Sequence, residues 1–181
     1  GVITNARKEI ATGVTITGAL IGTRRLYDWA HQNAAMRMTP TSYTHDAAVL
    51  GRLSRLVTIN SALEIDLTGQ VNAEQTGSAY MGGTGGQVDF VRAGARSPGG
   101  ASLMVLAATA KGGTLSKIVP ALSGPVTTAR TEVDVVVTEY GAAELKGQSL
   151  AERGRRLISI AHPDFREDLS RAAHEIQSRG F

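Results

Sequence analysis

A chain of 181 residues with 42% hydrophobic and 19% charged residues has an ordinary globular composition and enough length to bury a core. Its formal charge of +3 comes from dispersed arginines, and aromatics make up only 4%, which argues against a nucleic-acid surface. The absence of cysteine excludes thiol nucleophiles, disulfides and cysteine metal sites, and His31, His45, His162 and His174 lack ligand spacing, so no metal is expected.

No apolar run is long enough to span a membrane and no signal peptide is visible, so a soluble cytoplasmic protein is expected. The opening Gly1-Val-Ile-Thr-Asn5 lacks an initiator Met, which predicts a fragment with an upstream part.

Taken in order, the β-branched run 14–21, bounded by Gly13 and Gly22, predicts a buried strand. Thr23 then caps a helix over 24–33, with Leu26, Trp29 and Ala30 at helical spacing and Trp29 as a core anchor. Residues 36–43 read as extended, interrupted by Pro40, and 42–46 caps a short helix over 47–55. Strands are expected at 56–60 and 62–66, then a turn at Thr68-Gly69. A helix follows at 87–96, strands at 102–107, 115–120 and 133–138, and helices at 150–160 and 164–178. Mixed strands and helices predict an α/β layered domain with a mixed, partly parallel sheet flanked by helices.

The stretch 76–90 is the most distinctive, with glycines at 77, 82, 83, 85 and 86 ahead of the helix at 87–96. Such a loop can turn main-chain N–H groups towards an anion or a developing oxyanion, or it can be an ordinary surface turn. Neither G-x-G-x-x-G, nor G-x-x-x-x-G-K-[ST], nor G-x-S-x-G occurs, so dinucleotide, P-loop and hydrolase-elbow readings lack their fingerprints. The polar residues Asn60, Glu64, Asp66 and Asn72, together with Lys111 on a second glycine turn, suit an anionic thioester or phosphate. Glu64 and Asp66 alternate with apolar residues, which fits the solvent face of an edge strand as well as a site; Glu139, after an apolar strand, fits a cleft or a cap.

Four stretches, Asn60-Ser-Ala-Leu-Glu-Ile-Asp-Leu-Thr-Gly-Gln-Val-Asn-Ala-Glu74, Gly83-Thr-Gly-Gly-Gln-Val-Asp-Phe90, Val137-Thr-Glu-Tyr-Gly141 and Ala161-His-Pro-Asp-Phe-Arg166, occur in that order. Together they resemble the acetyl-CoA hydrolase/transferase family, which includes 4-hydroxybutyrate and succinyl-CoA:acetate CoA-transferases. The resemblance implies that residues 1–181 form the C-terminal domain of such an enzyme, CoA-transferase-like in fold. It implies exchange of CoA through a glutamyl-CoA thioester, or hydrolysis where water replaces the acceptor acid. A catalytically silent CoA-binding or assembly domain is the rival reading.

The resemblance also places the nucleophilic glutamate upstream of Gly1, so no glutamate of this chain takes its part and the chain alone is expected to be inactive. It assigns CoA and thioester contacts to Asn60, Gly83, Thr84, Gly85, Gly86 and Gln87, with Gly85 and Gly86 at the reacting carbonyl and Lys111 at the CoA phosphates. His45 falls where relatives place an Asn that binds the oxyanion; a neutral imidazole can donate one hydrogen bond there, though its charge varies near neutral pH. No tightly bound cofactor is implied: CoA and acyl-CoA are substrates. The implied partners are a small carboxylate, the N-terminal domain of the same protein and a second subunit in a homodimer.

Overall fold

The computed structural model describes residues 3–179, so Gly1 and Val2 of the opening stretch lie outside the described residues. The chain begins with β1 (Thr15–Thr17), α1 (Arg24–Ala30) and β2 (Met36–Met38), then two short helices, α2 (Thr41–Thr44) and α3 (Ala47–Leu50). β3 (Val57–Asn60) is followed by the short strands β4 (Glu64–Asp66), β5 (Val71–Asn72), β6 (Gln75–Thr76) and β7 (Ala79–Tyr80), and then by α4 (Gln87–Arg96). Next come β8 (Ala101–Val105), β9 (Thr109–Ala110), a 3-10 turn at Lys111–Gly113, β10 (Leu115–Ser116) and β11 (Ile118–Val119). β12 (Val135–Thr138), β13 (Gly141–Glu144), α5 (Leu150–Ser159) and α6 (Pro163–Ser178) complete the chain.

The principal sheet has the order β13-β12-β8-β3, with β3, β8 and β12 parallel and β13 returning antiparallel to β12. A smaller sheet, β11-β4-β5, pairs β11 parallel and β5 antiparallel to β4. Thr58, Ser102, Met104 and Val136 point to the buried face of the principal sheet, against which α4 packs with Val91. The core continues through Ile65, Val71 and Ile118 to Leu145, Leu157 and Leu169 under α5 and α6. The architecture is the expected mixed α/β arrangement.

Several local expectations are corrected. The strand read at 14–21 shortens to Thr15–Thr17, and the Thr23 side chain makes no capping bond. Trp29 is 49% exposed rather than a core anchor. Residues 115–120 divide into β10 and β11, and Gly141–Glu144, without a β-branched residue, nevertheless pairs as β13. The helix at 87–96 is found with those bounds.

β4 is the central strand of its sheet, so Glu64 and Asp66 do not line an edge. Asp66 is buried and accepts from the Thr68 N–H (2.9 Å) and hydroxyl (2.7 Å) and from the Gln70 backbone (3.0 Å) and side chain (2.7 Å). Glu64 accepts from Asn72 (2.9 Å) and from the Ser123 N–H (2.7 Å) and hydroxyl (2.9 Å). A buried carboxylate is tolerable because donors replace its lost hydration. These groups hold turns and are not free for a ligand.

α4 lies unusually close to the sheet because its buried Gly94 has no side chain: a Cβ there would stand 2.6 Å from Thr58 Oγ1 and 2.8 Å from the Ala101 carbonyl. Gly94→Ala should therefore cost about 1–3 kcal/mol, through lifting of the helix. Gly82→Ala, where a Cβ meets nothing within 4 Å, should stay within about 0.5 kcal/mol. Urea unfolding midpoints of the two variants check the contrast.

Candidate active site: the glycine loop above the parallel strands

β3, α4 and β8 form a strand–helix–strand unit with parallel strands, so the N-terminus of α4 must return to the carboxyl end of β3. A direct bond fixes that return: Gln87 Nε2 donates to the Ser61 carbonyl at 2.7 Å, one residue beyond β3. Gln87 Oε1 in turn accepts from the Thr128 hydroxyl at 2.8 Å. The Gln87 side chain is thus a brace, and only its main chain faces the loop. In parallel sheets this end of the strands is where ligands collect.

The loop ahead of α4 is anchored at both ends. At its start the Glu74 carbonyl accepts from Met81 N–H (2.7 Å) and Gly82 N–H (3.3 Å), while the Glu74 carboxylate is buried and accepts from Thr127 (2.8 Å). At its end the His45 ring lies directly on Gly86, where a Cβ would sit only 1.9 Å from the imidazole. Between these anchors the N–H groups of Gly83, Thr84, Gly85 and Gly86 make no hydrogen bond among the described residues. Gly85 has φ +58°, a conformation glycine adopts without strain and one that turns successive N–H groups to a common side. No atom of the described residues lies within 4 Å of a Cβ built at Gly82 or Gly83, so the fold itself does not require glycine there.

His45 terminates α2 and is fixed by two contacts, a 2.8 Å hydrogen bond between Nδ1 and the Thr44 hydroxyl and an edge-to-face packing on Phe90 at 4.8 Å. Asp46 then starts α3 by accepting from the Val49 N–H at 2.9 Å. The imidazole thereby reaches the glycine loop from a segment some 40 residues earlier in sequence, which no local spacing could reveal. At the end of β3, Asn60 has a buried Nδ2 with no partner among the described residues. A buried amide donor left unpaired is costly, so an acceptor from outside is its natural complement.

The expected site residues are therefore brought together in part. Gln87, the loop Gly83–Gly86 and His45 meet at the N-terminus of α4, and Asn60 directly precedes Ser61, whose carbonyl Gln87 holds. Lys111 instead stands exposed on the turn between β9 and β10, with positive φ (+50°), and shares no hydrogen bond with that group. Not anticipated in the sequence was Lys117, which donates to the Ala62 carbonyl at 2.8 Å and so holds the turn after β3 together with Gln87. Its burial lowers the ammonium pKa below the ordinary lysine value, and Glu139 opposes that effect. Glu139 accepts from the Ala108 N–H at 2.8 Å, a bond that holds its carboxyl below the usual range and joins the ends of β12 and β8. Among the described residues no cluster of three or more His, Asp or Glu could hold a metal ion.

Fold and loop together define an α/β domain with a run of main-chain donors, unpaired among the described residues, at a strand–helix crossover. Residues 22–173 match the family described as the acetyl-CoA hydrolase/transferase C-terminal domain, and the chain belongs to that family. It is 44% identical over 178 residues to the succinyl-CoA:cyclohexane-1-carboxylate CoA transferase of Geobacter metallireducens, covering 97% of this chain and 41% of that protein. It is 43% identical over 171 residues to the 4-hydroxybutyrate coenzyme A transferase of Clostridium kluyveri, covering 93% of this chain and 40% of that protein. The crystal structure of RipA from Yersinia pestis superposes with a TM-score of 0.92 at 40% identity, over 98% of this chain and 40% of RipA. The chain thus spans about two fifths of the length of these relatives.

The His45–Gly86 contact is testable. Gly86→Ala should displace the imidazole, removing the Phe90 ring-current shift from the His45 resonances and destabilising the chain by about 1–3 kcal/mol. Adding His45→Ala should recover most of that loss, because the collision partner is gone. NMR and unfolding midpoints of the single and double variants report both effects.

Proposed function

We propose that the protein containing this domain is an acyl-CoA:carboxylate CoA-transferase, with residues 1–181 as its C-terminal domain. The observation that carries the reading is the run of N–H groups over Gly83–Gly86, unpaired among the described residues and held at the N-terminus of α4, whose Gln87 is bonded to Ser61 next to Asn60, itself with an amide unpartnered among those residues. Thioester exchange passes through tetrahedral adducts whose carbonyl oxygen becomes an anion, and main-chain donors aimed at it are worth roughly 3 kcal/mol each.

In this reaction a glutamate carboxylate supplied from outside this chain attacks the acyl-CoA carbonyl. The adduct collapses to an acyl-glutamyl anhydride and CoA thiolate. The thiolate adds to the glutamyl carbonyl, expels the acid and leaves a glutamyl-CoA thioester; an incoming carboxylate repeats the steps in reverse. The covalent intermediate divides one difficult exchange into easier ones. Gly85 and Gly86 donate to the oxyanion, Asn60, Gly83, Thr84 and the Gln87 main chain line the thioester, and His45 supports the loop through Gly86. Lys111, on its exposed turn, meets the CoA phosphates. CoA enters and leaves as substrate, with no resident cofactor, and the resemblance extends the proposal to a cytoplasmic homodimer.

The decisive experiment uses the intact enzyme. Incubation with acyl-CoA followed by borohydride should reduce one glutamate upstream of Gly1 to the alcohol, visible by peptide mass spectrometry. An unmodified protein that still binds CoA would identify a binding module instead.

Two substitutions separate loop chemistry from folding. Gly85→Val should lower kcat/KM by about 100-fold or more while the protein stays folded. Asn60→Ala should change stability by less than about 1 kcal/mol, since its Nδ2 has no internal partner to lose. The same variant should raise the Kd for CoA about tenfold or more, read by calorimetry.

A further inference from the structure

From residue 3 to residue 49 no side chain is buried, although this stretch carries Ile16, Ile21, Leu26, Trp29, Met36 and Met38. Ile21 is 91% exposed and α1 buries none of its residues. β1 and β2 pair in parallel, with the register Thr15 to Met36 and Thr17 to Met38, and form a sheet of two strands only. Parallel sheets ordinarily have both faces covered, and a two-stranded sheet alone is marginal in water. Between α1 and β2 runs an open groove of about 480 Å³ whose walls include Leu20, Tyr27, Ala30, Met36 and Met38.

We propose that the β1–α1–β2 unit is a docking surface for the polypeptide that precedes this region in the relatives. That polypeptide seats apolar side chains in the α1–β2 groove and adds a strand to the free edge of β2. Two arguments select this occupant over a second copy of the chain. A two-fold axis that pairs one strand edge with itself makes the strands antiparallel, whereas a parallel sheet grows by crossover connections within one polypeptide. The relatives moreover contain this region, in the same conformation, inside chains of which it is only about two fifths, and the family describes it as a C-terminal domain. The surface follows from burial and pairing alone and does not depend on the transferase chemistry.

The test uses the full-length protein with Trp29→p-benzoylphenylalanine, irradiated at micromolar concentration. The expected product keeps the monomer mass on a denaturing gel and yields, by mass spectrometry, a peptide from upstream of Gly1 joined to position 29. In the unsubstituted full-length protein, Met38 should be oxidised by peroxide about tenfold more slowly than in urea. A dimer-mass adduct would assign the groove to a second copy and overturn the proposal. So would the absence of any upstream cross-link, or Met38 oxidation at the rate of the unfolded chain.

Discussion

The hydrogen bond from Gln87 to the Ser61 carbonyl holds the glycine loop in place, because it joins the first residue of α4 to the turn that leaves β3. Twenty-six residues separate its partners, and everything between them is a detour that must end where it began. Gly94 lets α4 approach Thr58 and Ala101 closely, so the helix axis is fixed at one end by a bond and near the other by contact. A helix so constrained cannot tilt its N-terminus away from the strand. The loop before it then has a defined direction, and its N–H groups point from a rigid base.

The acids of this region serve a different purpose from the donors. Glu64, Asp66 and Glu74 are each paired with hydroxyl or amide donors: Asp66 fixes the turn at Thr68–Gln70, while Glu64 and Glu74 tie the detour between β3 and α4 to Ser123 and Thr127. Their charge is therefore already compensated locally. The Gly83–Gly86 donors and the Asn60 amide have no such compensation among the described residues. The region thus satisfies its carboxylates and leaves its amides open among the described residues, which is the pattern that the proposed thioester site requires.

What the sequence disclosed depended on how local each determinant is. The helix at 87–96 is legible because a glycine start, apolar residues at helical spacing and a Ser-Pro stop all lie within it or directly beside it. Alternation at 62–66 correctly signalled a strand but could not tell solvent from a buried polar network, since hydrogen-bonded acids and hydrated ones occupy the same pattern. Periodicity places Trp29 in the core because it assumes that each apolar face has its cover within the same sequence, whereas Trp29 is 49% exposed. The meeting of His45 with Gly86 was beyond any spacing rule, as was the empty space around Gly83; the four motifs pointed to the loop, and only the fold supplied its anchors.

Two open features then coincide. Among the described residues the loop leaves its donors unpaired, and the β1–α1–β2 unit leaves apolar side chains exposed. They are joined through one short path. β2 leads by way of α2 to His45, whose ring rests on Gly86, and Phe90 links that ring to the first turns of α4. Polypeptide that seats on α1 and β2 therefore bears on the segment that supports the glycine loop. On the proposed docking, the occupant of the α1–β2 groove and the geometry of the glycine loop are coupled, because His45 transmits to Gly86 and Phe90 whatever displaces the end of α2.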